Sequence, residues 1–134
     1  MQSNGFWLFH HLGVACKSVE QEAIVWEKVG YSRKGEAFVD PIQGVRGEFW
    51  VGPGPCLEFL ENLDCRDVLN PWINKGIKIY HQAFIVNDIH EQIERVKFNG
   101  AVLVQEPTKS VAFHGKEIAF VFLKNMSMIE FIQR

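Results

Sequence analysis

The chain repeats itself, and this constrains its fold more than any other feature. Placing His11 over His81, an offset of 70, lays His11-Leu-Gly-Val-Ala-Cys-Lys-Ser18 over His81-Gln-Ala-Phe-Ile-Val-Asn-Asp88. Both are apolar runs of strand length. Ser18 and Asp88 are good helix N-caps, and Gln21 and Glu91, three residues on, complete a capping-box pattern. Val19, Ala23, Trp26 and Val29 then recur at helical spacing, as do Ile89, Ile93 and Val96. Both helices stop at a glycine, Gly30 and Gly100, in the same register. Strand, cap, helix and stop at one offset predict a duplicated module.

The rest of each module reads as strand. Candidates are Tyr31–Val39, Val45–Val51 and Cys56–Leu63 in the first, and Ala101–Glu106, Lys116–Phe122 and Ser127–Gln133 in the second. Leu57-Glu-Phe-Leu60 and Ile129-Glu-Phe-Ile132 correspond at an offset of 72, which allows a two-residue insertion. Gly52-Pro-Gly-Pro55 is a tight connection with no phosphate-loop pattern. The expectation is one α+β domain over 1–134 with β-α-β-β-β modules at 8–63 and 79–133. A linker at 64–78 contains Pro71 and a short helix.

Composition narrows the function. A chain of 134 residues, 47% hydrophobic and 22% charged, is a globular domain rather than a disordered tail. A net charge of −2 supplies no phosphate-neutralising footprint, so no nucleic-acid partner is expected. No apolar run approaches ~20 residues, so no membrane span is expected. Met1–Phe9 has no basic leader pattern. Cys16, Cys56 and Cys65 are odd in number and lack C-x-x-C spacing. They read as unpaired thiols of a reducing, cytoplasmic compartment.

Four polar residues interrupt the apolar strands. His11 and His81 match in the first strand of each module, and Glu58 and Glu130 in the last. Alternation allows each strand to send its apolar neighbours to one face and its glutamate to the other. Alone, each glutamate reads as a solvated residue and each histidine as a hydrogen-bonded one. Their symmetry favours convergence on one ion. Two neutral imidazoles and two carboxylates cancel the charge of a divalent cation and leave two octahedral positions open. Nitrogen and oxygen donors without thiolate suit Fe, Co, Ni, Mn or Zn, and open positions suit a catalytic Lewis acid.

Paired β-α-β-β-β modules with a His/Glu/His/Glu set resemble the vicinal oxygen chelate superfamily. Its members include glyoxalase I, methylmalonyl-CoA epimerase and extradiol dioxygenases. The resemblance covers roughly residues 8 to 133 and is greatest to the epimerase branch. It is carried by Phe9-His-His-Leu-Gly-Val-Ala15, Leu57-Glu-Phe-Leu-Glu61, Tyr80-His-Gln-Ala-Phe-Ile-Val86, Phe113-His-Gly-Lys-Glu-Ile-Ala-Phe120 and Ile129-Glu-Phe-Ile-Gln133. Leu123-Lys-Asn-Met-Ser127 replaces the Asp-Pro-Asp-Gly turn common in glyoxalases. The resemblance implies a cupped, mostly antiparallel sheet around a central cleft. It also implies His11, Glu58, His81 and Glu130 as metal ligands, and a homodimer.

The chemistry implied is α-proton abstraction with enolate stabilisation on an acyl-CoA thioester, Glu130 serving as one base. The branch places a second acid just before the Gly-Val of the third strand, where this chain has Ile42. Asp40 and Glu48 are the nearest carboxylates, and Glu48 is the second catalytic candidate. His114 and Lys116, in a loop, and Trp50, on a strand, are candidate substrate contacts. His10 reads as structural, since it faces away from its neighbour His11. His90 reads as solvated, and Lys109 as surface. The alternatives are a glyoxalase I-type lyase acting on a glutathione adduct, and a non-catalytic small-molecule-binding protein. A ring-cleaving dioxygenase fits less well, because Glu58 would fill a position that oxygen or substrate needs.

Overall fold

The computed structural model describes residues 6–134. Part of the leader-free stretch expected at Met1–Phe9 lies outside them. The elements in chain order are β1 (Leu8–Ala15), α1 (Val19–Lys28), β2 (Ser32–Asp40), β3 (Val45–Val51), β4 (Leu57–Asn62) and α2 (Asn70–Ile73). There follow β5 (Ile79–Val86), α3 (Ile89–Phe98), β6 (Val102–Lys109), a 3-10 turn (Val111–Phe113), β7 (Glu117–Phe122) and β8 (Met128–Gln133). This is the α+β, twice β-α-β-β-β order expected from the repeat. Among the described residues, no helix is long and apolar enough to cross a membrane.

Two compact units divide the chain, one spanning His11–Tyr80 and the other spanning His81–Arg134 with described residues 6–10. The first has strand order β2-β3-β4-β1, the second β5-β8-β7-β6. In each, the first and last strands of the module pair in parallel, β1 with β4 and β5 with β8. The remaining pairs, β2 with β3, β3 with β4, β6 with β7 and β7 with β8, are antiparallel.

Local chemistry sets the helices. The Ser18 hydroxyl accepts from the Gln21 N–H at 3.2 Å, and the Asp88 carboxylate from the Glu91 N–H at 3.1 Å. Side chains of the last strands complete both starts. Glu61 accepts from the Val19 N–H at 2.7 Å, and Gln133 from the Ile89 N–H at 2.8 Å. At the far ends Gly30 and Gly100 adopt φ of 106° and 92°, a left-handed turn that a side chain would strain.

Phe59 of β4 packs with Val14, Val19, Leu57 and Trp50, flanked by Trp26 of α1. Phe131 of β8 packs with Ile89, Ile93 and Val96 of α3. Burying these residues beneath a helix turns the intervening Glu58 and Glu130 to the opposite face of each sheet.

Candidate functional site

Each unit holds one buried His–Glu pair. In the first, His11 Nε2 of β1 lies 3.0 Å from Glu58 Oε1 of β4. In the second, His81 Nε2 of β5 lies 3.1 Å from Glu130 Oε1 of β8. All four residues are buried. The parallel first and last strands produce both pairs by the same construction. In each, the residue two after the histidine, Gly13 or Ala83, is the cross-strand partner of the glutamate.

A phenylalanine closes over each imidazole. The Phe49 ring meets His11 edge-on at 5.3 Å and 74°. Phe120 meets His81 at 5.4 Å and 76°. Phe49 and Phe120 are also the cross-strand partners of Glu58 and Glu130. The sequence reading missed these aromatic covers, although their offset of 71 fits the repeat.

The donor chemistry fits a divalent cation. A carboxylate in an apolar setting is costly unless paired or bound to a cation. Two ligand atoms at right angles on one ion, each at about 2.1 Å, lie about 3 Å apart, the separation seen within each pair.

Two expected site residues lie elsewhere. Glu48 and Trp50 of β3 pair across to Phe59 and Leu57, which pack beneath α1. Cross-strand partners share a face, so both side chains point toward α1 and away from Glu58. Trp50 Nε1 donates to Glu48 Oε1 at 2.9 Å, and Arg33 lies 3.6 Å from that carboxylate. Both residues line a groove of about 650 Å³ between α1, β2 and β3. Glu48, expected as the second catalytic residue, and Trp50, expected as a substrate contact, thus share the face opposite Glu58. Strand alternation from Phe49 is the reason.

Asp40 is buried on the Glu58 face, accepting from the Gln43 N–H at 3.1 Å and so holding the turn into β3. Ile42 is 65% exposed in that turn. His114 and Lys116 are exposed in the turn joining β6 to β7, where His114 has a φ of 57°. The turn is closed by Ser110 donating to the Lys116 carbonyl and Gly115 to the Ser110 carbonyl, at 3.0 and 2.8 Å.

The His10 ring packs edge-on against Phe113 at 5.4 Å. Phe113 in turn packs on Ala83, Ile118 and Ile132, the face of that unit carrying His81 and Glu130. Strand alternation alone did not reveal this placement. His90 is exposed, with Glu117 at 4.0 Å, and Lys109 is exposed as expected.

All three cysteines are free thiols. Burial pushes the Cys16 thiol up to about 12. It also raises Cys56, opposed by the positive charge of Lys34 and reinforced by Glu58.

Comparison with known proteins agrees with this architecture. No curated protein sequence matches significantly. A hypothetical protein of Bacillus halodurans has a similar structure, with 26% identity, a TM-score of 0.81, and coverage of 96% of this chain and 94% of that one. Methylmalonyl-CoA epimerase of Mycobacterium tuberculosis is similar at 21% identity and a TM-score of 0.76, over 99% of this chain and 92% of that one. A Streptomyces coelicolor methylmalonyl-CoA epimerase variant in complex with 2-nitronate-propionyl-CoA is similar at 18% identity and a TM-score of 0.73, over 94% and 96%. A sequence model of the glyoxalase/bleomycin resistance protein/dioxygenase superfamily matches residues 10–120. The chain therefore belongs to the glyoxalase/bleomycin resistance protein/dioxygenase superfamily, the vicinal oxygen chelate group.

Proposed function

We propose that the chain is a divalent-metal-dependent enzyme that removes the proton beside the carbonyl of an acyl thioester, with Glu130 as the base. The observation that carries this reading is the buried His–Glu pair at equivalent places in both modules. On this reading His11, Glu58, His81 and Glu130 together hold one ion of Co, Ni, Mn, Zn or Fe. Bound there, the ion would stabilise negative charge developing on the carbonyl oxygen.

The chain's own residues do the rest. Glu130 takes the proton at a carboxylate oxygen, and His81 Nε2 beside Oε1 holds that carboxylate in place. Phe49 and Phe120, packed nearly at right angles to the imidazole rings, help to hold them in place. The preference for a CoA thioester is supported by fold likeness to an epimerase in complex with 2-nitronate-propionyl-CoA.

A second reading, a glyoxalase I-type lyase acting on a glutathione adduct, is favoured by the lack of a second acid. Ile42 stands in its place, and Glu48 faces α1. Asp40 pairs with Val45, four residues or about 13 Å along β3 from the partner of Glu58. A single base suffices where the proton leaves and returns on one face.

The test is incubation with methylmalonyl-CoA in heavy water, beside methylglyoxal with glutathione. Metal-dependent α-deuteration lost in Glu130→Gln supports the first reading, and lactoylglutathione formation supports the second. Neither product with any of the metals would leave a non-catalytic binding protein.

A further inference from the structure

The Glu58 face of the first unit carries a cation that the His–Glu pair does not use. Gly13, Glu58, Phe49 and Lys34 are successive cross-strand partners on β1, β4, β3 and β2. They form one row on one face. Lys34 therefore stands two strands from Glu58, about 10 Å between backbones.

The other cations of this sheet are engaged. Arg33, on the opposite face, lies 3.6 Å from Glu48, and Arg46 lies 2.7 Å from Glu61. Lys78 pairs with Glu22. Lys34 is exposed and makes no ion pair among the described residues. Of the carboxylates on its own face, the two buried ones are occupied, Glu58 with His11 and Asp40 with the Gln43 backbone, while Glu36, two residues along β2, is exposed.

The second module shows what this position holds when no cation is present. There the row is Ala83, Glu130, Phe120 and Gln105. Gly and Ala, the two glutamates, and the two phenylalanines correspond along the row. Only the end differs, an ammonium in one module and a neutral carboxamide in the other. An unpaired ammonium beside an aromatic ring, in line with a candidate ligand, suits an anion delivered by the bound molecule.

We propose that Lys34 recognises an anionic group, a carboxylate or a phosphate, on the substrate whose reacting carbonyl sits at Glu58. The substrate's presence there rests on the proposed function, whereas anion recognition by Lys34 is tested separately.

The experiment measures equilibrium binding of malonyl-CoA, malonyl-pantetheine, acetyl-pantetheine, free malonate and inorganic phosphate. Metal-loaded wild type, Lys34→Gln and Lys34→Arg are compared. Wild-type preference for malonyl- over acetyl-pantetheine, lost about tenfold in Lys34→Gln and kept in Lys34→Arg, assigns an acyl carboxylate. Preference for malonyl-CoA over malonyl-pantetheine, lost in the same way, assigns a CoA phosphate. If no thioester binds, the thioester reading fails. Malonate or phosphate bound by wild type and Lys34→Arg but not Lys34→Gln would still support Lys34. Equal behaviour of wild type and Lys34→Gln toward every probe, including equal failure to bind, overturns the proposal.

Discussion

His11 Nε2 lies 3.0 Å from Glu58 Oε1, and neither side chain is more than 5% exposed. Removing the carboxylate leaves a buried imidazole without this partner. Glu58→Ala is expected to destabilise the metal-free protein by about 1–3 kcal/mol. Glu58→Gln keeps an acceptor and is expected to cost less. Both lose charge opposite a cation, so both are expected to weaken metal binding by about tenfold or more. Urea unfolding in EDTA and a cobalt titration check the two effects separately.

Glu48 faces α1, with Arg33 and Trp50 as its partners. Glu48→Gln is therefore expected to leave α-deuteration within about twofold of wild type. Its partly exposed ion pair is expected to contribute no more than about 1 kcal/mol. A rate loss of two orders of magnitude, measured on folded protein, would restore Glu48 as a catalytic base.

Ile42 is 65% exposed, so a carboxylate there carries little folding cost. With one base, α-proton exchange is expected to outrun inversion of configuration. Ile42→Glu is expected to raise inversion relative to exchange by about 10²-fold. Chiral analysis of thioester recovered from heavy water checks this. An unchanged ratio would show that this turn does not deliver an acid to the substrate.

Cys16 is buried and its thiol is pushed up to about 12, mainly by desolvation. The folded state thus holds this proton more tightly than the unfolded chain does. The resulting stability is fully present below the ordinary thiol value of 9.0 and is lost as pH rises toward about 12. Cys16→Ala is expected to flatten the fall of Tm over that window. An identical slope in both proteins would contradict the assignment.

Much of the fold is legible in the sequence because its signals are local. Ser18 and Asp88 cap, Gly30 and Gly100 stop, and the flanking residues of Glu58 and Glu130 reveal which way each glutamate turns. The strand limits shift by one to three residues in most cases, with β6 running on to Lys109 rather than stopping at Glu106. What depends on register between strands was hidden. The face of Trp50 is set by its pairing with Leu57, and that of Glu48 by Phe59. The contacts from Glu61 to Val19 and from Gln133 to Ile89 span more than 40 residues, beyond any local pattern. Their equivalence at an offset of 72 was nonetheless available to a search for polar repeats.

The central claim is that the two His–Glu pairs hold one metal ion. The most direct test is metal content per chain in protein purified without an affinity tag, beside a His81→Ala/Glu130→Ala double variant. The expected result is about one equivalent of a transition metal in the wild type, absent from the variant while its fold is retained. A wild type that carries no metal, even after incubation with Co, Ni, Mn, Zn and Fe(II), would contradict it.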